Sequence, residues 1–180
     1  MRSISTRSIE HRANEVLEKA GFFEVPLPVD LVARRLGLRV EPTDLGDDIS
    51  GLLVIDNGKG TIGYNASHPR VRQRFSIAHE LGHFLLHRND LQLFIDKRYA
   101  IAFRDKRSSS GEYRREREAN AFAAALLMPE SLMRREIRKH DFDLGDEATL
   151  DALAEAFDVS VQAMAYRLAN LNLFPKIELL

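Results

Sequence analysis

The chain has 180 residues, 44% hydrophobic and 29% charged, a profile that supports one folded domain with a sizeable core. Its 26 Lys+Arg against 27 Asp+Glu leave a net charge of -1, which excludes a global attraction to nucleic acid or to anionic membrane. Cysteine is absent, so disulfides, thiolate metal ligands and cysteine nucleophiles are excluded together, and a reducing cytoplasm is the expected location.

In chain order, the opening "MRSISTRSIEHRANE" is polar and lacks the apolar region of a signal peptide. No apolar run approaches the roughly 20 residues that span a bilayer, so no membrane partner is expected. Residues 7–20 put Ile9, Ala13, Val16, Leu17 and Ala20 on one helical face, and "PVDLVARRLG" (28–37) repeats that logic before a short strand, "LRVEP". "GLLVI" (51–55) and "TIGYN" (61–65) flank "DNGKG", a hairpin signal because Asn-Gly accepts positive φ. A helix is predicted from near Val71. Beyond Asn89, "LFI" and "YAIAF" read as strands and "RDKRSSSGEYRRER" as a solvated loop, with helices at 113–127, 130–139, 147–157 and 160–170. The last two, around "DVS" with Ser160 as N-cap, resemble a helix-turn-helix. A DNA reader needs basic side chains on its second helix, yet Arg167 is the only basic residue from 147 to 174, so packing or partner docking is expected there and no direct nucleic-acid contact. The basic cluster Arg104, Lys106, Arg107, Arg114, Arg115 and Arg117 reads as a solvated face.

The sharpest signal is "RQRFSIAHELGHFLLH" (72–87), which contains H-E-x-x-H at His79, Glu80 and His83. Residues at i and i+4 share a helix face, so both imidazoles can reach one Zn²⁺. Glu80 lies about 100° round the helix, outside the ligand set but within reach of a zinc-activated water, whose proton it can pass to a leaving amine. Ile77, Ala78, Leu81, Phe84 and Leu85 supply the apolar face that makes the stretch helical, and Gly82 permits another backbone or a substrate to approach closely.

A catalytic zinc takes a third protein ligand and leaves a position for water. His87 lies about 12 Å from His79 along the axis, too far to share the ion, and reads as a helix C-terminal residue. Nothing in the spacing of His68 recommends it. In "GEYRREREANAFAAALLMP" (111–129), Ala119, Phe122, Ala123, Leu126 and Leu127 form a core-facing stripe, and Glu116 falls on it. Asn120, one turn on, can hydrogen-bond the second nitrogen of a ligating histidine. Glu118 points about 160° from Glu116 and reads as a surface charge without a role at the metal.

The blocks "RQRFSIAHELGHFLLH" and "EREANAFAAALLMP" resemble the ImmA/IrrE family of zinc metallopeptidases, and the likeness extends more loosely over residues 25–130. The resemblance implies His79 and His83 as zinc ligands, Glu80 as general base and Glu116, the glutamate of E-x-x-A-N, as third ligand. It implies an α+β, zincin-like core over 1–130, a small antiparallel sheet packed on the H-E-x-x-H helix, followed by a C-terminal helical subdomain over 131–180. The implied activity is cleavage of a protein partner, often a helix-turn-helix repressor whose removal derepresses genes of a mobile element or a stress response. The alternative is a regulator of toxin–antitoxin type that retains the zinc site and sequesters its partner. The complete motif favours the enzyme, since a structural zinc needs no base beside it. In the hairpin, 51–55 or 61–65 is expected either to offer an edge for an extended substrate or to lie inside the sheet.

Overall fold

Residues 76–84 set the apolar or small Ile77, Ala78, Leu81, Gly82 and Phe84 around the helix, with His79, Glu80 and His83 between them, and such a stretch has to be enclosed on every side. The computed structural model describes residues 3–88, 93–97, 110–140 and 147–173, and in it Ser76 to Phe84 are buried without interruption. In chain order the elements are α1 (Thr6–Ala20), α2 (Val29–Arg35), β1 (Arg39–Thr43), β2 (Ile49–Asp56), β3 (Lys59–Asn65), the central α3 (Arg70–His87) and β4 (Leu93–Lys97). Four helices follow: α4 (Ser110–Leu127), α5 (Glu130–His140), α6 (Glu147–Phe157) and α7 (Val161–Asn170). Helix α4 starts at Ser110, so "SGEYRRER" is helical, not loop. "YAIAF", Arg104, Lys106 and Arg107 lie outside the described residues.

The predicted hairpin forms. Asn57 (φ 49°) and Gly58 (φ 78°) are both left-handed, and Asp56 pairs with Lys59 across the two-residue turn, whose twist matches that of the strands. The strand order is β1-β3-β2-β4. The sheet is therefore mixed, not antiparallel as expected, because β1 lies parallel to β3 while β2 is antiparallel to both β3 and β4. The reason is the connection at 44–48, which carries the chain past the place that β3 later fills. Buried Asn65, at the end of β3, holds that connection by donating from Nδ2 to the carbonyls of Gly46 (2.5 Å) and Ile49 (2.8 Å). Both hairpin strands are consequently interior, and among the described residues the sheet margins are β1 and β4. Neither 51–55 nor 61–65 offers a free edge.

Sheet residues Leu53 and Ile62 pack on one side of α3, and α4 crosses its other side. Gly82 makes that crossing close: a Cβ there would sit 3.2 Å from both the Cα and the carbonyl oxygen of Ala119, and 3.1 Å from Phe122 Cδ1. The approach Gly82 permits is thus that of α4. Because backbone cannot step aside as a side chain can, Gly82→Ala is expected to cost about 1–3 kcal/mol of stability and to weaken metal binding, measured by denaturation and metal titration.

Helices α6 and α7 join the same hydrophobic cluster through Leu153, Phe157, Met164 and Leu168. Arg74 of α3 donates to the Asp158 carbonyl (3.0 Å) at the turn between them, and Arg70 reaches the Asp158 carboxylate (2.6 Å). Arg167 is buried, donating to the Met128 carbonyl (2.8 Å) and making a two-pronged ion pair with Glu10 of α1. That arginine is committed to packing and is withheld from any phosphate. Among the described residues no helix is long and apolar enough to cross a membrane.

Candidate metal centre

Two helices build the site. On α3, the four-residue spacing stacks His79 and His83 so that their rings meet edge to face, with centroids 4.6 Å apart and Nε2 atoms 3.0 Å apart. On α4, the close crossing at Gly82 carries Glu116, one turn before Asn120, over the two imidazoles. Glu116 Oε2 lies 3.3 Å from His79 Nε2, and Oε1 lies 3.2 Å from His83 Nε2. His79, His83 and Glu116 form a group whose donor atoms all lie within 4.8 Å of one another. Around a tetrahedral ion with bonds of about 2.0–2.1 Å, neighbouring donors stand about 3.3 Å apart, so the set fits a small divalent ion. Two imidazoles and one carboxylate, without thiolate, make the donor set of an ion that can keep a water position.

Asn120 bears on the same site. The Nδ1–H of His79 donates to Asn120 Oδ1 at 2.9 Å, which orients the ring and turns its Nε2 toward Glu116. Asn120→Ala is expected to weaken metal binding about 10–100-fold while the fold stays intact, measured by competition with a chelating dye.

Protonation suits the same purpose. Burial drives His83 down to about 4, more than the Glu116 hydrogen bond raises it, so the ring is neutral at pH 7. Burial alone would raise the Glu116 carboxyl, but hydrogen bonds and charge from His79 and His83 prevail and hold it well below the usual carboxylate range. The histidine side chains are 2% exposed and that of Glu116 36%, so the centre opens on the α4 side. Phe75, one turn before His79, stands against its ring with centroids 6.2 Å apart.

Glu80 is fully buried beside the pair, outside the three-donor group and against β2, where Gly51 approaches it. His87 and His68 are not in that group. His87 is buried, with Nε2 3.5 Å from Glu118 Oε2.

Glu118 departs from its reading as a surface charge. It is 6% exposed and accepts hydrogen bonds from the Ile4 N–H (2.9 Å) and the Ser3 hydroxyl (3.2 Å). It does point away from Glu116, but α1 and the segment before it cover that side of α4, so away from the metal is still inside the protein. The signal was indirect: an acidic residue aligned with Ala121 and Ala125, small residues that admit a neighbouring helix. Glu118→Ala is expected to cost about 1–3 kcal/mol in chemical denaturation, with metal content unchanged because its oxygens are not among the donors.

Residues 33–169 match the family of the IrrE N-terminal-like domain, a peptidase family. No curated protein matches the chain significantly. Among solved structures, a Mycobacterium tuberculosis transcriptional regulator shares the fold with a TM-score of 0.62 and 20% identity, over 91% of this chain and 46% of that one. The chain spans about half the length of that regulator, and the likeness concerns the fold alone. With the family match covering most of the chain, and with the two motif blocks meeting in one buried cluster, the chain belongs to the IrrE N-terminal-like peptidase family.

Proposed function

We propose that the chain is a zinc-dependent endopeptidase that cleaves a regulatory protein, a helix-turn-helix repressor, and thereby derepresses the genes it controls. The observation that carries this reading is the convergence of His79, His83 and Glu116 at tetrahedral spacing, with the carboxylate of Glu80 on the adjoining helical position. His83 presents a neutral nitrogen, Glu116 presents a charge, and Asn120 keeps the His79 ring in register. When bound, the ion would lower the pKa of a water and polarise the scissile carbonyl. Glu80 takes the proton of the attacking water on a carboxylate oxygen and delivers it to the leaving amine nitrogen. Glu80 is fully buried, so bulk solvent is kept from that carboxylate.

The acidic character of α6 and the turn after it, with Glu147, Asp151, Glu155 and Asp158, together with the committed Arg167 of α7, supports action on a protein, not on DNA. Incubation of purified protein with the repressor-like protein encoded beside its gene, read by mass spectrometry, tests the proposal. A discrete cut made by wild type and abolished by a chelator is expected. An intact partner held in a stable complex would instead make the chain a sequestering regulator.

A further inference from the structure

We propose that Gly51 is a positioning residue for Glu80, and that the start of β2 is built to set how deeply that carboxylate sits beneath the strand. The inference rests on the peptidase reading for its catalytic meaning, but the contact it asserts is independent of it.

Arg72, Ser76 and Glu80 recur at four-residue spacing and so share one face of α3. The first residues of β2 meet that face in step. Arg72 Nη2 donates to Ser50 Oγ at 2.6 Å, and the next strand residue is Gly51. A Cβ on Gly51 would stand 3.2 Å from Glu80 Oε1, 3.4 Å from Glu80 Cγ and 3.3 Å from Ser76 Cβ. One step earlier, the carbonyl of Ile49 is fixed by Asn65. The pairing of β2 with β4 shifts register between Ile49 and Gly51, an irregularity of the kind that re-aims a strand beside a functional group. Ile49 and Ser50 are thus each held by a side chain, Asn65 and Arg72, while Gly51 is held by its sheet pairing with Tyr64 and Asp96 and leaves its Cα face to Glu80 and Ser76.

Backbone conformation does not require the glycine, because Gly51 is not among the residues with positive φ. Alanine is allowed there, and by reducing the entropy of the unfolded chain it would by itself stabilise the protein. What alanine cannot do is leave Glu80 where it is. The carboxylate oxygen has to retreat by a few tenths of an ångström, and proton transfer is sensitive to displacements of that order.

Gly51→Ala is made in three backgrounds of the zinc-loaded protein and followed by thermal denaturation and zinc content. In wild type it is expected to lower Tm by about 3 °C with one zinc retained. In Glu80→Gln, which keeps the volume, the same loss is expected. In Glu80→Ala, which vacates the space, the loss should vanish or reverse. A loss that persists in Glu80→Ala, or one relieved instead by Ser76→Gly, would overturn the proposal, as would no loss in wild type. If Glu80→Ala does not fold, a wild-type-sized kcat in Gly51→Ala on the partner that wild type cleaves would overturn it equally. The expected result there is a 10–100-fold lower kcat with KM unchanged. Absence of cleavage by wild type would sink the peptidase reading, while the three-background comparison would still decide whether Gly51 seats Glu80.

Discussion

His83→Ala and Glu116→Ala are each expected to emerge from purification without a metal ion, where wild type carries one per chain. Each substitution removes one of three protein donors from a set already spaced at 3.0–3.3 Å, and the two that remain cannot close a tetrahedral shell. Zinc bound by a full protein shell carries about 10–16 kcal/mol, so losing one donor costs roughly 3–5 kcal/mol, or about 10²–10⁴-fold in affinity. The two variants should differ in stability. His83→Ala opens a cavity in the middle of α3, where the side chain is 2% exposed, whereas Glu116 is 36% exposed and leaves little void. Glu116→Ala is therefore the cleaner variant: folded, with Tm near that of metal-free wild type, and empty. Plasma emission spectrometry for metal, with a melting curve beside it, checks both points.

Glu80→Gln is expected to keep the metal and lose cleavage. The substitution preserves the volume under Gly51 and leaves the three donors untouched, but an amide cannot accept the proton of the attacking water. General-base catalysis is worth about 10²–10⁴-fold, and a loss of that size in kcat, with partner binding retained, is the expected outcome. Turnover measured against the cleaved partner, with metal content determined on the same sample, separates this from loss of the site. Such a variant should also hold its partner uncut, which makes it the form to use for capturing the complex.

What could be read from the chain was what the chain encodes locally. H-E-x-x-H is a statement about one helix turn, and the helix geometry that makes it a site is the same in any protein. Asn57-Gly58 states its turn equally locally, and so does Ser160, whose hydroxyl caps α7 by accepting from the Ala163 N–H. Glu116, 33 residues beyond His83, needed the apolar stripe of its helix and a family resemblance before it could be paired with the histidines. What was not legible depended on a third element. The burial of Glu118 follows from α1 and Ser3–Ile4 closing over α4, which no periodicity within α4 announces. The order β1-β3-β2-β4 depends on Asn65 gripping a connection some 16 to 19 residues earlier, a pairing invisible in alternation of polar and apolar residues. Arg167 looked like the one basic residue available to a DNA reader, and its partner Glu10 lies 157 positions away. Long-range ion pairs of this sort distinguish a helix pair folded into a domain from one presented to a ligand.

The most direct test of the metal centre is anomalous diffraction from crystals of wild type at the zinc edge. A single strong peak about 2.0–2.2 Å from the Nε2 atoms of His79 and His83 and from a carboxylate oxygen of Glu116 is the result predicted. No peak between α3 and α4, or a peak held by other residues, would contradict it.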